Sequence, residues 1–308
     1  MNTCFEDLCN ELLLVIFVYI NPRHLYQLFW NLNYRLNVLL ASMNNLQLII
    51  DEVENNETTI AIASHVVLLQ VNTWDDIDLT GFGNLCSLAL TRPSPSQLKQ
   101  IRAETMPKLT HLSLYSNVYF TAPKQLIHDA FSNAFSSLRW ARLGHIDLSD
   151  LQSRTAQSLR HLHISCSTIA LIPFLLASCP RLHYLHVDIC RDSDQITIPS
   201  PNISNHPLRQ FLLRDYCLST SSKDILSLLS YIPNTQKIEL KFNYNAPVIF
   251  LLKHLSDSLR YLHRFNCDIT ECSIQSSISL AAMQQIHPCF SRIRCRTQTK
   301  DFRIFSTD

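Results

Sequence analysis

Leu159-Arg-His-Leu-His-Ile164 and Leu182-His-Tyr-Leu-His-Val187 carry one six-residue pattern: apolar, two variable residues, apolar, one variable residue, apolar. Leu109-Thr-His-Leu-Ser-Leu114 is a third clear copy. Weaker copies are Leu85-Cys-Ser-Leu-Ala-Leu90, Leu208-Arg-Gln-Phe-Leu-Leu213, Thr235-Gln-Lys-Ile-Glu-Leu240 and Leu259-Arg-Tyr-Leu262. A degenerate copy starts at Leu138, and Val66-Val-Leu-Leu-Gln-Val71 is the candidate for the first. From 85 to 259 the starts step by 24, 29, 21, 23, 26, 27 and 24 residues. Within a copy the alternation is that of a half-buried strand. Between copies, 96–106, 124–135, 169–178, 224–231 and 248–257 read as helices, and two of these gaps close on a proline, at Met106-Pro107 and Cys179-Pro180.

Most of these steps fall within the 20–29 residues of a leucine-rich repeat, whose unit buries its apolar face by stacking on its neighbours. The expected fold class is therefore α/β, a curved solenoid with parallel strands on the concave face and helices outside. The domain is expected over 66–308, its basic end Ser291-Arg-Ile-Arg-Cys-Arg-Thr-Gln-Thr-Lys300 serving as a final strand or cap. Most copies lack the asparagine that usually follows the motif, and an ordinary α/β domain stays open as the alternative.

Successive side chains of a strand point to opposite faces, so the residues on either side of the second apolar position point away from the core. These are Ser87 and Ala89, His111 and Ser113, Trp140 and Arg142, His161 and His163, and Tyr184 and His186. The rows continue through Gln210 and Leu212, Lys237 and Glu239, and Tyr261 and His263. Trp, Tyr and Arg dominate binding hot spots. The expected substrate-binding residues are therefore His111, Trp140, Arg142, His161, His163, Tyr184, His186, Tyr261 and His263.

Composition narrows the chemistry. Of 308 residues, 46% are hydrophobic and 17% charged, a folded composition with a net charge of +1 that gives no pull toward nucleic acid. Only Gly81, Gly83 and Gly144 are present, where average usage gives roughly twenty. Neither a dinucleotide-binding fingerprint nor a phosphate-binding loop exists, and no cofactor is expected. The apolar run 12–20 has nine residues, too short to span a bilayer, so no membrane partner is expected. Eleven cysteines without framework spacing predict reduced thiols and a cytoplasmic or nuclear location.

The first 46 residues read as two or three short helices. Leu8, Leu12, Leu13, Ile16, Phe17 and Ile20 share one helical face, and Asn21-Pro22 is a cap-then-first-turn signature for the next helix. Leu25, Leu28, Phe29, Leu32, Leu36, Leu39 and Leu40 form the second apolar face. In order and spacing, Phe5-Glu-Asp-Leu-Cys-Asn-Glu-Leu-Leu-Leu-Val-Ile-Phe-Val-Tyr-Ile-Asn-Pro-Arg-His-Leu25 resembles the F-box, with Asn33-Tyr-Arg35 in place of its asparagine-x-arginine. Cys9 stands where that family has proline, His24 where it has an acid, and Val15 and Val18 where it has polar residues.

The resemblance implies an F-box module over 1–46, a connector over 47–65, and binding to the Skp-type adaptor of a cullin-RING core. Leu8, Cys9, Leu12, Ile16, Ile20, Pro22 and Leu25 would form or support that surface. The chain is then expected to be a non-catalytic substrate receptor of an SCF-type ubiquitin ligase, its repeats holding a protein substrate. A ligase-independent scaffold with a drifted F-box is the alternative.

No nucleophile elbow and no His-Glu-x-x-His helix is present, so no catalytic residue is expected. Cys267, Cys272, Cys289 and Cys295 are spaced more widely than structural zinc ligands, and no metal is assigned. His161 and His163 lie on one side of a strand and would reach a metal only with a partner such as His186 on a neighbouring strand.

Overall fold

A computed structural model describes residues 5–51, 59, 61–115, 120–147, 155–190, 206–215, 222–272, 279–299 and 301–307. The chain divides into two compact units, Met1–Ser116 with Phe135–Leu138, and Asn117–Ala134 with Arg139–Asp308. Among the described residues no helix is long and apolar enough to cross a membrane.

The first unit opens with three helices, α1 (Asn10–Val18), α2 (Pro22–Phe29) and α3 (Tyr34–Ser42). Their ends follow the sequence. The Asn21 side chain accepts from the Arg23 N–H at 2.9 Å with Pro22 at the first helical position, and the Asn33 side chain accepts from the Leu36 N–H at 2.8 Å. Leu13, Phe17, Leu25, Tyr26, Leu36, Leu39 and Leu40 are buried. Phe29 holds the module's start together, its ring 5.3 Å from Phe5 and 5.2 Å from Phe17. The Tyr26 hydroxyl donates to the Leu40 carbonyl at 3.2 Å, and Arg35 reaches back to the Asn10 side chain at 2.8 Å.

Four parallel strands follow in sequence order: β1 (Leu46–Ile50), β2 (Val66–Val71), β3 (Ser87–Thr91) and β4 (His111–Tyr115). β1 lies where the connector is expected to start, and it is a repeat copy of its own: Met43-Asn-Asn-Leu46-Gln-Leu48 has the full pattern. Most of the remaining polar connector lies outside the described residues. Helix α4 (Pro95–Gln100) follows β3 and starts on a capping box, in which Ser94 and Gln97 each satisfy the other's backbone N–H.

The second unit continues with β5 (Trp140–His145), β6 (His161–Cys166), β7 (Tyr184–Ile189), β8 (Gln210–Asp215), β9 (Lys237–Tyr244) and β10 (Arg264–Glu271), all parallel in sequence order. Helices α5 (Lys124–Phe131), α6 (Ile172–Ser178), α7 (Ser222–Leu229) and α8 (Val248–Ser258) occupy the expected helical stretches. After α9 (Leu280–Ile286), the chain turns back as β11 (Arg294–Gln298) and β12 (Arg303–Ser306). β12 lies antiparallel between β10 and β11, so the basic tail forms an edge strand, β11, and a further strand, β12, follows it in the chain.

Each repeat hands its neighbour the same hydrogen bonds. One carbonyl just before a strand accepts two successive N–H groups of the next repeat: Cys86 from Thr110 and His111, and Arg139 from Arg160 and His161. Arg160 accepts from His183 and Tyr184, His183 from Arg209 and Gln210, Arg209 from Gln236 and Lys237, and Gln236 from His263 and Arg264. The apolar positions of most copies are buried, as in Leu159, Leu162 and Ile164 or Leu182, Leu185 and Val187, whereas Met43 at the head of the β1 copy is half-buried. This ladder of parallel strands recurs with the spacing of the sequence copies.

The same ladder corrects the last copy. Its pattern is Leu262-His-Arg-Phe265-Asn-Cys267, and β10 starts at Arg264, which pairs with Lys237. Tyr261 and His263 precede the strand, and the expected row positions belong to Arg264 and Asn266. Leu259 and Leu262 both fit the first apolar position; pairing against β9 selects the second.

Candidate functional site

In the second unit, in-register pairing aligns the outward side chains of β5–β9 into rows. Trp140, His161 and Tyr184 are successive partners, followed by Gln210 and Lys237. Arg142, His163 and His186 form the next row, followed by Leu212 and Glu239. The sequence thus brings six of its expected binding residues together on adjacent strands. His111 lies on β4 of the first unit. His186 and Leu212 differ from expectation in being buried. Row neighbours on parallel strands are about 4.8 Å apart, close enough for one ring to cover the next.

A third row is one that the sequence reading missed. Asp188, two residues beyond His186 on the same face, is followed by Arg214 and Lys241 on the neighbouring strands. Its alternation from His186 was the available signal. Gly144 makes this row begin irregularly. It has φ +78°, the register shifts between Arg142 and Gly144, and the Phe120 carbonyl lies where a Cβ would project.

At the centre of these rows the His163 and His186 rings stack with centroids 3.7 Å apart and planes 12° from parallel. His163 Nε2 is 2.9 Å from one Asp188 carboxylate oxygen, and His186 Nε2 is 3.2 Å from the other. The second contact lacks hydrogen-bond geometry, leaving His186 Nε2 and Asp188 Oδ1 buried and without a hydrogen bond. Burial lowers the proton affinity of His163, against the Asp188 contact, with His186 and Arg142 adding to the lowering. Burial alone would raise the Asp188 carboxyl; its contacts with His163 and His186 outweigh that and hold it well below the usual carboxylate range. Around this centre, Glu239 lies 3.4 Å from Lys241 and 3.8 Å from Arg214, while His161 and Tyr184 rings lie 5.9 Å apart.

His163, His186 and Asp188 are the group of His, Cys, Asp or Glu side chains, among the described residues, whose donor atoms converge within 4.8 Å. The cysteines of the C-terminal segment do not assemble. Cys289 contacts His287 at 3.0 Å, whereas Cys267 is buried against the Phe305 carbonyl. Burial raises the Cys166 and Cys179 thiols well above the ordinary range, Cys267 to about 12 and Cys289 to about 11. High thiol pKa disfavours the nucleophilic thiolate.

The helical module presents a second surface. Leu12, Val15 and Val18 are 51%, 57% and 73% exposed, and Leu28 and Leu32 are each 60% exposed. Cys9 is exposed at the N-cap of α1, where its side chain makes no capping hydrogen bond. Leu8, Ile16, Ile20 and Pro22 are half-buried, and Leu25 is fully buried.

No family model matches the chain, and no curated protein matches it. Among solved structures it is similar to the leucine-rich repeat-containing protein LegL7 from Legionella pneumophila. The two share 14% identity and a TM-score of 0.45 over 86% of this chain and 95% of that one.

Proposed function

We propose that this chain is a non-catalytic protein-binding receptor of the SCF type. Helices α1–α3 dock on a Skp-type adaptor of a cullin-RING ubiquitin ligase, and the outward rows of the second unit hold a protein substrate. One observation carries the adaptor half: Leu12, Val15, Val18, Leu28 and Leu32 expose their apolar side chains on a module only three helices long. Large apolar side chains exposed in this number on so small a module are what an interaction surface would present. The F-box-like order of residues supports the choice of partner, and Asn33 and Arg35 have structural work inside the module, capping α3 and tying it to Asn10. Holding a substrate beside the ligase raises the local concentration of its acceptor lysines, and no catalytic group on this chain is required.

The uncapped Cys9 favours one rival, a ligase-independent repeat scaffold with a drifted F-box. Co-purification of the full chain with a Skp-type adaptor separates the two. Retention by the native chain, and its loss on Leu12→Asp with Val15→Asp, supports the receptor. A chain that is folded yet leaves the adaptor in the flow-through is the scaffold.

A further inference from the structure

We propose that His163, His186 and Asp188 form a binding site for one divalent first-row transition metal ion of the zinc type, held on β6 and β7. Zinc bonds of about 2.0–2.2 Å to imidazole nitrogen and carboxylate oxygen put neighbouring donors of a tetrahedral site roughly 3.3–3.6 Å apart. The two nitrogen–carboxylate separations here are 2.9 and 3.2 Å, within a few tenths of an ångström of that spacing. The two rings stack 12° from parallel, and one ligand atom from each ring and from Asp188 lie within 4.8 Å of one another. The ion enters at the shared edge beside Asp188, and a tilt of the two rings away from each other completes its coordination.

The second observation pointing to a ligand is the state of the donors. The His186 side chain is more than nine-tenths buried, yet its Nε2 and Asp188 Oδ1 face each other without a hydrogen bond. Leaving buried polar atoms unsatisfied is costly, and a shared cation satisfies both. Metal binding also needs neutral imidazole and ionised carboxylate. Two imidazoles with one carboxylate suit zinc, cobalt, nickel or copper, rather than calcium or magnesium, which take oxygen ligands. Three protein ligands leave a fourth position open, so an acidic or histidine side chain of a bound protein can complete the shell. The cations nearest the site are Arg142, beside His163, and Arg214, beside Asp188 and 3.8 Å from Glu239.

The test is cobalt and zinc titration of the full, reduced chain, following the visible d–d spectrum of bound cobalt. The expected result is one ion per chain, without a thiolate-to-cobalt charge-transfer band, displaced by zinc. His163→Gln and Asp188→Asn should each weaken it more than about tenfold. Cys289→Ser should leave it unchanged, and circular dichroism checks that every variant is folded. His163 is the least buried ligand, so His163→Gln is the deciding variant if Asp188→Asn fails to fold. Absence of stoichiometric binding, a thiolate band, or unchanged affinity in His163→Gln overturns the site. None of these outcomes bears on adaptor co-purification, which probes a different surface.

Discussion

Glu271 and Arg303 face each other in register across β10 and β12, the fully buried carboxylate 2.7 Å from one guanidinium nitrogen and 2.8 Å from another. Burial raises the Glu271 carboxyl, while Arg303 and the Val248 N–H, 3.4 Å away, oppose it. The pair ties the antiparallel end piece to the last parallel strand. Breaking a buried pair leaves an uncompensated charge, which costs about 3–5 kcal/mol. Arg303→Met should therefore destabilise the second unit by that order in urea unfolding, while Arg303→Met with Glu271→Leu should recover most of the loss. Equal loss in single and double variants would show that packing, not charge, dominates.

Thr235 occupies a repeat position that holds leucine in most other copies, and its hydroxyl is fully buried without a hydrogen-bond partner among the described residues. Valine has nearly the same shape and no polar atom to desolvate. Thr235→Val should raise stability by about 1 kcal/mol, read as a higher urea midpoint at unchanged slope.

Gly144 combines φ +78° with a position for Cβ only 2.5 Å from the Phe120 carbonyl oxygen. Left-handed backbone costs an L-residue about 1–2 kcal/mol, and this contact adds to it. Gly144→Ala should lower the unfolding midpoint by more than that alone. Gly83→Ala, with its nearest contact at 3.7 Å, is the control and should have little effect.

His206 holds two backbone groups at once. Its Nε2 donates to the Cys179 carbonyl at 3.0 Å, and Nδ1 accepts from the Leu208 N–H at 3.2 Å. Only the neutral ring does both. Burial lowers its proton affinity, against the hydrogen bonds to backbone carbonyls, so the unfolded chain binds the proton more readily. The contribution is present above the ordinary histidine pKa of about 6.5 and is lost as pH falls through the lower folded value. Melting temperature should thus drop on acidification below about pH 6.5, and His206→Gln should flatten that part of the profile.

Thiol reagents should separate the cysteines by burial. Cys9 and Cys272 are exposed, whereas Cys166, Cys179, Cys190 and Cys267 are buried. Mass spectrometry after brief labelling of the folded chain should find adducts on the first pair and none on the other four. Rapid labelling of a buried cysteine would reveal an activated thiol and reopen an enzymatic reading.

The amino-acid sequence alone determined the repeat copies in the middle of the chain and the caps of the N-terminal helices, because both rest on local periodicity and short-range hydrogen bonding. Leu162, Leu185 and Phe211 are buried where the six-residue pattern puts them, and Asn21 and Asn33 cap the helices they precede. It also placed His163 and His186 on one outward row. Tertiary structure decided what depends on pairing between strands. Met43-Asn-Asn-Leu46 reads as the end of the helical module, and Gln47 as the start of a connector, until Gln47 pairs with Leu68, and the last copy moves three residues when Arg264 pairs with Lys237. Asp188 joins the two histidines because parallel register sets His163 beside His186 and the pleat returns the same face two residues later. Periodicity within a strand is a property of neighbouring residues; register is a contest among distant ones, settled only when the sheet forms.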